Sequence, residues 1–119
     1  MSEKLAGKRA IVTGGATGIG YGIAKRFVAE GALVIITDID AAGGTSAAER
    51  LGDNCQFLHH DVSVPSQWDA VFAHAKKHFS GLDIMVNVAG VTLMGTIEDL
   101  DVETWDKTMA INVRSCFLG

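Results

Sequence analysis

The chain has 119 residues, 48% hydrophobic and 20% charged, a globular composition that excludes a disordered acidic tail, a collagen-like repeat and a membrane protein. Ten Lys and Arg stand against fourteen Asp and Glu, a formal net charge of -4. Such a surface repels phosphate backbones, so no nucleic-acid partner is expected.

Met1 to Lys8 lacks the apolar core of a signal peptide. The first strand is expected at Ala10–Thr13, a short β-branched run that ends in Gly14-Gly15. A helix with Ile23, Phe27 and Val28 on one face follows and stops at Gly31. Ala32–Ile36 reads as a second strand, apolar without alternation, as in a parallel sheet covered on both faces. It is also the longest strongly apolar run, far short of a membrane span. A short Ala/Glu/Arg helix is expected over Thr45–Leu51, closed by Gly52, and then a third strand at Cys55–His59. Ser63 is placed to N-cap the next helix, with Pro65 in its first turn. Trp68, Val71, Phe72, Ala75 and Phe79 form its apolar stripe, and Gly81 ends it. Leu82–Val86 is the fourth strand. Val102–Leu118 reads as a last helix with Trp105, Met109, Asn112 and Cys116 on one face.

The order βαβαβαβα within one domain, residues 1–119, predicts an α/β fold: a Rossmann-type, doubly wound parallel sheet. Ligands of such sheets bind at the carboxyl ends of the strands. After the first strand, Gly14, Gly18 and Gly20 are spaced G-x-x-x-G-x-G, with Thr17 and Ile19 between them. Glycines let the backbone turn sharply against a pyrophosphate, and the following helix N-terminus offers free amides and a positive dipole. After the second strand comes Asp38, eighteen residues past Gly20 and placed to bond a ribose 2′-hydroxyl. Its charge repels a 2′-phosphate, and neither the glycine loop nor Ile39 supplies a base to hold one, so NAD is favoured over NADP. Asp61-Val62 follows the third strand, where Asp61 could accept from an adenine amino group or cap the next helix. Asn87, Val88, Ala89 and Gly90 follow the fourth, a turn of mostly small residues against which a ribose or nicotinamide could lie.

These residues together resemble the short-chain dehydrogenase/reductase family over the whole chain. Thr13-Gly14-Gly15-Ala16-Thr17-Gly18-Ile19-Gly20 is similar to its T-G-x-x-x-G-x-G cofactor loop, and Asp38 to its NAD-selecting acid. Asp61-Val62 resembles its adenine contact, and Asn87-Val88-Ala89-Gly90 its N-N-A-G turn with Val88 in place of the second Asn. Asn112 is similar to the helix Asn of the family's Asn–Ser–Tyr–Lys catalytic group, where it holds a proton-relay water. Independently of the resemblance, an Asn on an apolar helix stripe needs hydrogen-bond partners. The resemblance implies an NAD-dependent oxidoreductase moving hydride between nicotinamide and an alcohol or ketone substrate, and a dimer or tetramer in the intact enzyme. The family's Ser and Tyr-x-x-x-Lys follow the helix bearing the Asn. The chain stops at Gly119, before them, and by itself is expected to be inactive. The alternative is a non-catalytic NAD(H)-binding module or truncated product.

Three patterns mislead. Tyr21-Gly22-Ile23-Ala24-Lys25 matches Tyr-x-x-x-Lys but lies in the first helix, behind the glycine loop. His74 and His78 are spaced i, i+4, yet Ala75 stands where a zincin has its Glu, and no metal is expected. Cys116 is expected to be a small buried apolar residue rather than a nucleophile. With Cys55 it makes no metal or disulfide framework, which points to a reducing cytoplasm.

Overall fold

A computed structural model describes residues 3–91, 96 and 98–119; residues 1, 2, 92–95 and 97 lie outside the description. Four parallel strands, β1 (Arg9–Thr13), β2 (Leu33–Asp38), β3 (Cys55–His59) and β4 (Ile84–Val86), form one sheet in the order β3-β2-β1-β4. Register pairs Ile11 with Ile35 across β1 and β2, and Val12 with Val86 across β1 and β4. The chain steps outward from β1 to β3 and then returns to the other side of β1. The switch point between β1 and β4 is where such sheets open a crevice.

Successive residues of a strand point to opposite faces, and both faces are covered here. Val12, Val34 and Ile36 pack with Ala24 of α1 (Gly18–Ala29) and Ala47 of α2 (Ala41–Leu51). Ile11 and Ile35 pack on the other face with Val71, Ala75 and Phe79 of α3 (Pro65–Phe79). The expected doubly wound α/β sheet is therefore present. The central strands β1 and β2 are buried because no face of them is left for water, whereas the outer strands β3 and β4 are largely half-buried.

Three helices differ from expectation. Helix α2 begins at Ala41 rather than Thr45, because the Asp40 carboxylate accepts from the Gly43 amide at 2.9 Å and caps it. Gly43 and Gly44 look like breakers, yet a Cβ on Gly44 would collide with the Phe57 ring, so this glycine lets α2 lie close against β3. Helix α3 is N-capped by Val64 without a side-chain bond, not by Ser63. The Ser63 hydroxyl instead donates to Asp61 at 2.6 Å.

The last helix departs most. It is α4 (Val102–Met109), a π-helical stretch Ala110–Arg114, and α5 (Ser115–Leu118). The expected stripe faces inward only in part: Met109 and Asn112 are half-buried, whereas Trp105 is 54% exposed and Cys116 is exposed. Thr104, Thr108 and Ile111 are half-buried as well, and Ser115 is the one buried residue of this helix. Side-chain bonds set this rotation. Asn112 is fastened to Val91, and Arg114 donates to the Ser63 carbonyl at 2.7 Å. Val102, Trp105, Val113 and Phe117 are consequently left as exposed hydrophobics. No helix among the described residues is long and apolar enough to cross a membrane.

Candidate functional site

The strand ends meet through Thr13, the last residue of β1. Its hydroxyl oxygen accepts from the amides of Val88 at 3.0 Å and Ala89 at 3.1 Å, which pins the turn after β4 beside the glycine loop. Close approach continues at Gly14 (φ 66°), where a Cβ would stand 3.1 Å from the Ala89 backbone. A Cβ on Gly20 would collide with the Gly14 carbonyl. Gly18, Ile19 and Gly20 form the first turn of α1, and Thr17 in the N-cap position makes no capping bond to their amides.

Asp38 ends β2 half-buried. Its two oxygens accept from the Ala16 amide at 3.2 Å and the Asp40 amide at 3.1 Å, so the glycine loop itself orients the carboxylate. Ile39 beside it is 67% exposed. Asp61 follows β3. The hydroxyl and amide of Ser63 both donate to one of its oxygens, and the hydroxyl bond above all holds this carboxyl below the usual range. The carboxylate is thus spent on a local turn rather than on capping α3. Val62 is buried, and its carbonyl accepts from the Trp68 indole at 2.9 Å.

A cleft of about 390 Å³ opens over these ends. Of the expected cofactor residues it is lined by Gly14, Thr17, Asp38, Ile39, Asp61, Val62, Ala89 and Gly90. Gly18, Ile19 and Gly20 stand beside it in the first turn of α1. Asn87 is exposed and outside the lining, near Gly119. Asn112 is also outside it. Its amide oxygen accepts from the Val91 amide and its amide nitrogen donates to the Val91 carbonyl, both at 2.7 Å, so it braces the cleft wall from behind. The need for partners on that Asn is met by backbone. Its own carbonyl is approached by Cys116 Sγ at 3.5 Å.

Residues 8–119 match the family model for short chain dehydrogenase. The chain belongs to this family. Over its full length it is 41% identical to a 3-alpha-(or 20-beta)-hydroxysteroid dehydrogenase of Mycobacterium tuberculosis and 39% to a 3-beta-hydroxysteroid dehydrogenase of Comamonas testosteroni, covering 46% and 47% of those proteins. It is 40% identical to an NADP-dependent (R)-specific alcohol dehydrogenase of Lentilactobacillus kefiri, of which it covers 48%. The chain spans about half the length of the curated relatives it matches.

In this short-chain dehydrogenase chain the cleft also takes in residues that sequence reading passed over: His60, Val91, Lys107 and Ile111, together with Val88. Val88 enters the sequence reading only as the residue in place of an Asn. Lys107 sits on α4 and Ile111 on the π-helical stretch, where helical period alone does not give the rotation. His60 carried a signal, a polar residue next to Asp61 at the end of an apolar strand. His74 and His78 have ring centroids 4.1 Å apart, and His74 Nε2 lies 2.7 Å from Gln56 Oε1. Tyr21 lies under the Arg50 guanidinium, 4.8 Å from its ring centroid, rather than pairing with Lys25 in a site.

Proposed function

We propose that this chain binds NAD(H) as the cofactor part of an NAD-dependent oxidoreductase that moves hydride between nicotinamide and the carbon of an alcohol or ketone. The observation that carries the reading is the convergence of Gly14, Asp38, Asp61 and Ala89 on one cleft at the switch point of the sheet. The residues fit such a group. A Cβ would crowd the backbone at Gly14 and Gly20, where a phosphate loop must stay thin, while the space over Gly18 (φ 59°) is open.

Each part of the chain has a role in this reading. The uncapped first turn of α1 offers amides and dipole to the pyrophosphate. Asp38 keeps lone pairs for ribose hydroxyls while the Ala16 and Asp40 amides hold it in place. Asp61 and Val62 stand where an adenine edge would lie. Ala89 and Gly90 leave room for the nicotinamide-side ribose, in the turn that Asn87 opens and the Thr13 hydroxyl holds. When bound, the nicotinamide ring supplies the hydride acceptor or donor. Asn112 holds the position of the catalytic-group Asn that the resemblance implies, and its side chain braces Val91 at the cleft wall.

Asp38 is followed by Ile39 and Asp40, without a base to hold a 2′-phosphate, which supports NAD over NADP. The exposed face of Val102, Trp105, Val113 and Phe117 supports a dimer or tetramer. Both cysteines are free, which agrees with a reducing cytoplasm.

Calorimetric titration of the full chain with NAD+ and NADP+ tests the reading. NAD+ should bind more tightly, and Asp38→Ala should weaken it by about tenfold, the loss of charge-assisted bonds to a ribose. Preference for NADP+ in the unmodified chain would overturn the cofactor choice.

A further inference from the structure

His60 is 1% exposed, and its ring is held from two sides. Nδ1 lies 2.9 Å from the Thr37 hydroxyl, and the ring meets Trp68 edge to face, 4.5 Å between centroids. Nε2 is buried and makes no hydrogen bond among the described residues. Buried polar atoms are nearly always paired, and an unpaired one destabilises the fold. A leucine would fill such a space without that penalty, so the imidazole answers to something other than packing.

Its position says what. Thr37 immediately precedes Asp38, and His60 immediately precedes Asp61. The parallel register of β2 and β3 ends at the pair Asp38–His59, and the His60 amide donates to the Asp38 carbonyl at 2.9 Å one step beyond it. The Thr37–His60 side-chain bond is thus the cross-tie between the two strands at the point where each delivers a carboxylate to the cleft. Trp68 backs the ring and, through its indole N–H, holds the Val62 carbonyl on the far side of Asp61.

We propose that His60 is a positioning residue: through its bond to Thr37 it fixes the separation of Asp38 and Asp61, and so tunes affinity for the adenosine half of a dinucleotide. The inference rests on the nucleotide reading above. His60 borders the cleft, but with its ring 1% exposed it bears on the ligand chiefly through those two acids. The amide of an Asn at this position reaches where Nδ1 lies, so His60→Asn keeps the cross-tie, with its second amide atom near the place of Cδ2 in exchange for the unpaired Nε2. His60→Leu and Thr37→Val each cut the tie from one side.

The test is calorimetric titration of the full chain with AMP and with NAD+. His60→Leu and Thr37→Val should each weaken both ligands by about tenfold, the effect of one lost buried bond. The double variant should be no weaker than the worse single one, since both cut the same bond. His60→Asn should bind within about twofold of the unmodified chain, a rescue that volume alone would not give. Unchanged AMP affinity in both single variants would overturn the proposal, as would a His60→Asn variant as weak as His60→Leu. Failure of the unmodified chain to bind AMP or NAD+ would instead overturn the nucleotide reading and this inference with it.

Discussion

Asn112→Asp changes one atom and reverses one hydrogen bond. In the native chain both ends of the amide engage Val91, each at 2.7 Å. A carboxylate keeps the bond from the Val91 amide but turns its second oxygen toward the Val91 carbonyl. One net bond of about 1 kcal/mol is lost, and two facing acceptors at a half-buried site add about 1–2 kcal/mol more. For a chain of this length the total of about 2–3 kcal/mol lowers Tm by roughly 10 °C. Protonation restores a donor, so the introduced carboxyl titrates above an ordinary aspartate in the folded state. A raised carboxyl pKa means that the destabilisation is present above the folded value and vanishes as pH falls below the unfolded one. Thermal unfolding of both chains by circular dichroism at about pH 7 and about pH 4 should therefore show a gap that narrows on acidification. A gap of under about 2 °C near neutrality, or one that does not narrow, would refute the bracing role.

Gly20→Ala puts a methyl group into the Gly14 carbonyl. Because the loop backbone must shift, NAD+ affinity should fall by at least about tenfold in the same titration, and an unchanged affinity would remove the loop from the binding site. Arg9 holds the Asp83 carboxyl down at about 2, against 3.8 when free, chiefly through the guanidinium hydrogen bond. That stability is present above 3.8 and is lost as pH falls toward 2, so urea midpoints across this window should lose part of their slope in Asp83→Asn. Burial pushes His60 below its ordinary 6.5, with Asp61 pulling the other way and His59 adding to the depression. The unfolded chain takes up this proton first, so stability should drop as pH falls below 6.5, and His60→Asn should lessen that drop in urea unfolding.

Much of this molecule is written locally. Two apolar, β-branched runs at Ala10–Thr13 and Ala32–Ile36 specify central parallel strands with both faces covered, because no alternation leaves a face for water, and two weaker runs flank them. The glycine loop, Asp38, Asp61 and the Asn87–Gly90 turn were legible because each follows a strand directly, and parallel strands deliver all such residues to one edge. What local pattern missed depends on contacts between distant segments. Gly44 looks like a helix breaker until Phe57 is seen to occupy the space of its missing side chain. The last helix has an apolar stripe by period, yet Asn112 on Val91 and Arg114 on Ser63 turn Ser115 inward and leave Trp105 and Cys116 outside. Periodicity measures how apolar residues recur along one helix; rotation about the axis is fixed by directional bonds to other segments, which no single stretch of sequence contains. Likewise the sequence places Thr13 at the head of the glycine loop and His60 beside Asp61, but does not show what their side chains hold. Only the assembled sheet shows one hydroxyl joining β1 to the turn after β4, and one imidazole tying the strands that carry the two acids.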